Sequence, residues 1–394
     1  MFAYLVVVAV FFILYFLIPQ KQSWVPFLFL TASLAVIAYY AVPNDTDDLI
    51  RYFKMIDAMR IGGWDRFQSM LENNEFNFGV LPVAGYYFYF ISLLPNNQFL
   101  PFFTILICYG CMSLVMFKAA KRFCVNKFYF GIALFFMIST FWYYDIYSGT
   151  RNGIAFVVAA TCIYFHFVEK KHLFLCFVGY VLSCGMHASG VLIVALAFVA
   201  YITYKNKSKF INILLIFTLV GSSPLLSLLS NITDNEFILT VAGKTDDATS
   251  QLSFSFETNF LVNVATLVIA IIITAYAFVY IKKYITDKGT IRFFRFAEVL
   301  IYFSIGAVFS GLIFVRVLRW CVPIVFAIVY MVGMQLQKDR LDKGLINLNY
   351  DSDTTRSEKI RAMNKGVTTF FLFAYSAVHF WYDFAGSSLM WLHF

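Results

Sequence analysis

Charge is what this sequence lacks. Only 13% of its 394 residues are Asp, Glu, Lys or Arg, about half the share of a soluble domain, which excludes a water-facing globular fold. Also missing is the alternation of apolar and polar residues that marks strands of a membrane β-barrel. No HExxH pair, no Walker loop and no DxD motif set as in a nucleotide-sugar metal site occurs, so the usual sequence marks of zinc, nucleotide and metal-dependent sugar chemistry are absent. The seven cysteines are scattered. The single CxxC, Cys108 and Cys111, sits in an apolar run with no second pair, which predicts buried structural thiols. No repeat period of the solenoid kind is visible.

What the chain has is apolar length. Hydrophobic residues make up 61% of it, 48 of them phenylalanine, more than one water-facing fold can bury. Apolar runs recur at the roughly 20 residues needed for a helix to cross a bilayer. The fold class expected is therefore an all-α polytopic membrane protein forming one integral membrane domain. The net charge of +8 does not point to nucleic acid, because the Lys and Arg residues gather in short loops between spans, as topology signals do. Placing those loops on the cytoplasmic side predicts about twelve transmembrane helices. Residues 2–19 lack a charged leader and a small-residue cleavage site, so the first span is expected to be retained.

Three connections stand out. An acidic outer loop at 43–79 carries Leu49, Phe53, Ile56 and Met59 at helical spacing, which predicts an amphipathic helix near the membrane surface. A second acidic outer loop is expected at 231–259, and a flexible cytoplasmic loop at 337–366. Residues 80–94 are apolar, yet a full crossing there would put the basic loop KAAKRFCVNK on the wrong side. The expectation is a re-entrant segment, which survives at membrane depth only where it faces protein or a water-filled cavity. Residues 173–204 lie between two basic loops, which predicts two short helices meeting at GMHASG with His187 at the floor of an outward-facing recess.

Outer arginines are informative because topology gives them no reason to be there. Arg151 opens a helix after the polar turn DIYSGT, where Ser148 or Thr150 can cap and leave free N–H groups outward. A cation is unfavourable at that end of the helix dipole, but arginine beside a helix start suits an anion, above all a phosphate. Arg316 and Arg319 lie three apart at another outer span mouth and share a helix face. The three together suit a diphosphate; the plain alternative is a set of anchors reaching lipid headgroups. His187, titrating near neutrality, suits a sugar hydroxyl as base or orienting partner, and a structural hydrogen-bonding role is its plain alternative. Asp48, Arg51 and Tyr52 suit sugar binding by hydrogen bonds and ring stacking, against the alternative of a solvated acidic face. Asp48 and Arg51 are one turn apart and pair more simply with each other than with a metal.

The ordered pieces DDLIRY (47–52), NFGVLPVAGYYFYF, SGTRNGIA (148–155), MHASGVLI (186–193) and RVLRW (316–320) resemble the Wzy-type polysaccharide polymerases in their EpsG-like branch. The resemblance spans residues 40–335. Two departures occur: Arg151-Asn152 stands where the family often has Arg-Gln, and NFG replaces an acidic-Pro-Gly signature, with Glu75 nearby. The resemblance implies a GT-C-like membrane glycosyltransferase that uses no nucleotide sugar, and no cofactor or metal is expected. Its donor and acceptor would be undecaprenyl-diphosphate-linked oligosaccharides on the outer face of the bacterial plasma (inner) membrane, with a chain-length regulator as possible partner. The other readings are an O-antigen ligase, against which the early position of the longest outer loop argues, and a non-enzymatic lipid-linked oligosaccharide flippase or transporter. A flippase should carry charge deep in both leaflets.

Overall fold

The computed structural model describes residues 2–19, 22, 24–43, 47–205, 209–217, 258–308, 311–342 and 352–385. Every regular element among them is helical, and no strand occurs. The first two helices, α1 (Phe2–Leu17) and α2 (Trp24–Tyr39), pack on each other. Next come α3 (Asp48–Glu72), a 3-10 turn at Glu75–Asn77, α4 (Pro82–Ser92) and α5 (Phe99–Arg122). Then follow α6 (Lys127–Thr140), the short α7 (Tyr143–Ser148) and α8 (Thr150–Tyr164), which runs into a π-helical turn at Phe165–Glu169. The remainder is α9 (Leu173–Met186), α10 (Ala188–Thr203), α11 (Thr258–Tyr284), α12 (Lys288–Ala307), α13 (Gly311–Trp320), α14 (Val322–Asp342) and α15 (Ser352–Ala385).

Among the described residues three helices are long and apolar enough to cross a bilayer: Phe99–Arg122, Thr150–Glu169 and Phe260–Phe278. A fourth results if Ile313–Trp320 and Val322–Gln335, bent by 45°, form one span. Five further apolar helices, α1, α2, α6, α9 and α10, are shorter. The core is built where these helices pack: α2 along α5, α8 between α5 and α9, α14 against α6 and α11. Many aromatic side chains point away from it, among them Phe174, Phe177, Phe198, Phe370 and Trp381. Outward-facing apolar rings on that scale suit lipid, since the exposed apolar patches of a water-soluble monomer stay small.

Charged helix ends meet at one end of the bundle. Arg122 at the end of α5 lies 3.9 Å from Glu169 and 3.6 Å from Asp287. Lys170 pairs with Asp287 at 2.7 Å. Lys127 at the start of α6 donates to the carbonyls of Phe16 and Ile18, closing the end of α1. The Asn126 amide donates to Gln335 of α14 at 2.8 Å. Asp287 is also the N-cap of α12, accepting from Thr290 N and Oγ1. Burial would raise its carboxyl, but the hydrogen bonds from Lys170 and Thr290 outweigh that and hold it below the ordinary carboxylate range. A depressed carboxylate stabilises the fold above its unfolded pKa of about 3.9, and that contribution disappears as pH falls through the folded value. Asp287→Asn is therefore expected to lower the melting temperature at neutral pH. Its difference from the wild type should shrink below about pH 4 in pH-resolved thermal unfolding.

At the opposite end lie α3, α4, α7 and the start of α8. The apolar stripe of α3 is buried at Leu49, Tyr52, Ile56 and Met59, and the helix breaks at Gly63, where φ is 60°. The eleven residues of α4 reach about 16 Å, half a bilayer core. Its first turn meets α9, where Val83 touches Gly185. The turn after it meets α2 and α3: Asn96 donates to Tyr39 Oη at 2.7 Å and Asn97 to Asp57 at 2.9 Å. Both ends of α4 thus sit at the same end of the bundle.

Two expectations need correction. Residues 337–366 were expected to be a flexible loop, but 337–342 continue α14 and 352–366 belong to the 34-residue α15. Their Lys, Arg, Glu, Ala and Met residues are good helix formers, and a helix can run on into water without an apolar stripe when a buried section anchors it. Arg316 and Arg319 were expected at the mouth of a span; they lie within helix α13, which is bent by 45° from α14 rather than continuing straight into it. The outer loop at 231–259 lies outside the described residues except for 258 and 259, which open α11, and Asp45 of the first outer loop also lies outside them.

Candidate functional site

The first turn of α3 presents Asp48, Arg51 and Tyr52. Arg51 Nη2 donates to Asp48 Oδ1 at 2.7 Å, with both side chains about half exposed. An exposed pair of this kind is worth roughly 0–1 kcal/mol, so a ligand can displace it at little cost. Tyr52 is buried, its ring 5.0 Å from that of Phe88 on α4. Two guanidinium groups flank this ring: Arg51 at 5.9 Å and Arg151 at 5.6 Å from its centroid.

Arg151 reaches the cluster from the first turn of α8. Its Nη1 donates to the Phe76 carbonyl at 3.1 Å. Its Nε is buried with no hydrogen-bond partner among the described residues. The turn that offers the carbonyl is unusual: Asn74, Phe76 and Asn77 all have positive φ, at 48°, 55° and 63°. A phenylalanine there costs free energy that its surroundings must hold down. They do so through a forked pair of hydrogen bonds from Arg66 to Glu75, 2.9 and 2.8 Å, and a bond from Val80 N to Asn74 Oδ1. Glu75 therefore supports the turn.

Neither Ser148 nor Thr150 caps α8, contrary to expectation. Ser148 ends α7, and Thr150 Oγ1 donates backward to the Tyr147 carbonyl at 2.9 Å. The N-cap is Gly149, with no side-chain cap. A Cβ at Gly149 would stand 2.7 Å from the Asp145 carbonyl and 3.2 Å from the Trp320 ring. The position stays bare so that α13 can approach.

Arg316 of α13 joins the cluster, with Tyr52, Asp48 and Arg151 as its electrostatic neighbours. Arg319 does not. Its guanidinium pairs with Asp145 of α7 and lies 3.8 Å from the centroid of the Trp142 ring, with both ion-pair partners largely buried. The two arginines share a helix but differ in role. Arg316 faces the cluster, and Arg319 fastens α13 to α7.

His187 stands in the break between α9 and α10, in extended conformation with φ −160° and ψ 148°. It is buried, and its Nδ1 accepts from the Ser189 amide at 3.1 Å, capping α10. Ser189 Oγ lies 2.9 Å from His187 Nδ1 and 3.2 Å from Asn152 Oδ1, sharing one proton between two acceptors and tying the break to the residue after Arg151. A ring nitrogen that accepts a backbone N–H holds no proton, so the neutral imidazole carries its proton on Nε2. His187 is then a donor in this arrangement. The role of base would require it to give up the cap.

Five of the seven expected site residues thus meet around Tyr52, namely Asp48, Arg51, Tyr52, Arg151 and Arg316. His187 is linked to them through Ser189 and Asn152, and Arg319 is engaged elsewhere. Sequence reading missed the Phe76 carbonyl and the Asp145–Arg319 clasp. The run of Asn and Gly at 73–79 hints at the first, while nothing local signals the second. Among the described residues no group of three His, Cys, Asp or Glu side chains comes together to hold a metal. The arrangement can hold an anion between guanidinium groups beside a phenol ring and a displaceable carboxylate. No protein-family model, curated protein or solved structure matches this chain.

Proposed function

We propose that this chain is a polysaccharide polymerase, an integral membrane glycosyltransferase that moves a growing glycan from a lipid diphosphate onto a lipid-linked repeat unit. The observation that carries the reading is the convergence of Arg151 and Arg316 on Asp48, Arg51 and Tyr52 at one end of an apolar bundle. The basic end, with Arg122, Lys127 and Lys170, is the cytoplasmic side by the distribution of Lys and Arg, and the Tyr52 cluster faces outward. The described helices then account for about eleven of the twelve crossings expected, with α4 as the re-entrant segment.

The chemistry needs a group for each developing charge. The acceptor hydroxyl oxygen attacks the anomeric carbon, and the bond from that carbon to the diphosphate breaks. The electron pair leaves with the diphosphate, and the hydroxyl proton passes to it or to water. Arg151 and Arg316 take the growing negative charge, the term that preorganised donors stabilise most. Asp48 and Arg51, both half exposed, hold sugar beside the buried Tyr52 ring, and His187, tied through Ser189 to Asn152, fixes the start of α8 from which Arg151 reaches the site. In a deletion strain restored with this gene, lipid-linked glycans resolved by gel are expected to extend to long chains, and the empty strain to accumulate a flipped single repeat. A strain lacking the gene that keeps its repeats on the cytoplasmic face would instead mark a flippase. One that makes long chains but does not attach them to an acceptor core would mark a ligase.

A further inference from the structure

The basic end of the bundle holds an arginine that the proposed reaction does not use. Arg292, in the second turn of α12, stacks on two tyrosines at the end of α10. Its guanidinium carbon lies 4.1 Å from the ring centroid of Tyr201 and 4.6 Å from that of Tyr204. Its Nη2 approaches Tyr204 Oη at 3.5 Å, the outer limit for a hydrogen bond. Its Nε is buried and has no partner among the described residues. Arg295, one turn on, shows what a satisfied arginine in this bundle looks like. It donates to Thr203 at 3.0 Å, Glu298 at 3.0 Å and Asn212 at 2.7 Å.

No carboxylate among the described residues pairs with Arg292, and acids at this end of the bundle are engaged with other partners. Asp287 holds Lys170 and lies near Arg122; Glu298 holds Arg295; Glu169 accepts from Tyr164. Around Arg292 stand further groups suited to an anion. They are lysines, since His166 of the π-helical turn, which stacks on Tyr201, is already hydrogen-bonded to Tyr180 Oη at 3.1 Å. Lys205 follows Tyr204 directly, and Lys288 sits one turn before Arg292, both exposed. A sugar or amide would ask for acceptors as well as donors, whereas a tetrahedral oxyanion asks for donors alone. Beside the site, Phe198 and Ile202 of α10 expose apolar side chains on which acyl chains can lie. Basic pockets between transmembrane helices on the cytoplasmic side are recurrent sites for anionic headgroups.

We propose that Arg292, with Tyr204 and the neighbouring lysines, binds a phosphate group at the basic end of the bundle. The phosphodiester of an anionic phospholipid lying along α10 and α12 fits it best. The site is separate from the Tyr52 cluster, and its test does not read polymer formation, so failure here leaves the proposed function standing.

The test uses the full chain purified in detergent, with phosphatidylglycerol, phosphatidylcholine or inorganic phosphate added. Thermal unfolding and native mass spectrometry are read together. A ligand that binds only the folded state raises the melting temperature in proportion to the logarithm of its concentration above Kd. The expected result is a rise with phosphatidylglycerol, retention of that lipid in the spectrometer, and loss of both in Arg292→Gln. Arg292→Lys should retain part of the binding, because charge remains while the planar fork is lost. Equal protection by inorganic phosphate would support the site and make free phosphate its ligand. Two outcomes would overturn the proposal. One is no response of the wild type to phosphatidylglycerol or phosphate. The other is an undiminished response in Arg292→Gln; should that variant fail to fold, undiminished binding in Tyr204→Phe and Arg292→Lys together overturns it equally.

Discussion

Arg151→Ala is expected to stop polymer growth at a single repeat while leaving the protein folded. Three observations set the size of the effect. Arg151 makes one hydrogen bond, to the Phe76 carbonyl, so little of the fold depends on it. Its Nε is buried without a partner among the described residues, which is free energy spent on a donor that a ligand can satisfy. It faces the same tyrosine as Arg51 and is an electrostatic neighbour of Arg316, an arrangement in which cations repel until an anion lies between them. Loss of one preorganised donor to a developing oxyanion lowers turnover on the order of 100- to 1,000-fold. On a gel of lipid-linked glycans that loss leaves only the unpolymerised unit. Normal long chains from a well-expressed Arg151→Ala protein would remove the residue from the reaction and return it to the role of a headgroup anchor.

The second large effect separates Arg316 from Arg319, which the sequence alone treats as a pair. Arg316→Ala is expected to abolish polymer with the melting temperature unchanged, because the residue faces the cluster. Arg319→Ala is expected to destabilise the fold, since it strands Asp145 with both partners less than one-fifth exposed. Breaking a buried ion pair from one side costs roughly 3 kcal/mol, near the lower end of the measured range because some solvent still reaches both groups. Arg319→Lys should recover only part of that loss, since lysine keeps the charge but not the flat stack over Trp142. Thermal unfolding of the three variants beside their glycan gels distinguishes the roles. A drop in activity for Arg319→Ala without a drop in melting temperature would place Arg319 in the site after all.

The parts of this fold that could be read from the sequence are those set by local pattern. Of the expected stripe Leu49, Ile56 and Met59 are buried and Phe53 is half-buried, and the break at His187 falls inside the Gly- and Ser-containing GMHASG. The charged segment 352–366 misled because it has no apolar stripe, and the helix there is carried by propensity and by the apolar section that follows. The α8 cap misled for a different reason: Ser148 and Thr150 are good capping residues, but the position falls to Gly149, where a Cβ would meet the Asp145 carbonyl at 2.7 Å and the Trp320 ring at 3.2 Å. The site divides in the same way. Asp48, Arg51 and Tyr52 lie within one helical turn, so their grouping is local. That Arg319 turns to Asp145, 174 residues earlier, depends on how α13 docks, and no spacing rule reports such a contact.

The shortness of α9 has a consequence for the membrane around it. Its fourteen residues span about 21 Å, against a hydrocarbon core of about 30 Å. Its outer surface, with Leu173, Phe174, Phe177, Val181 and Leu182 exposed, is made for acyl chains. A bilayer meeting so short a wall thins locally to avoid exposing its own hydrocarbon. With α9 crossing the bilayer as proposed, the phosphate layer on that flank would sink toward the level of His187. Under the proposed function, a polyprenyl carrier drifting along α9 would have its headgroup lowered to the height of the arginines by the lipid itself, without being lifted out of its leaflet.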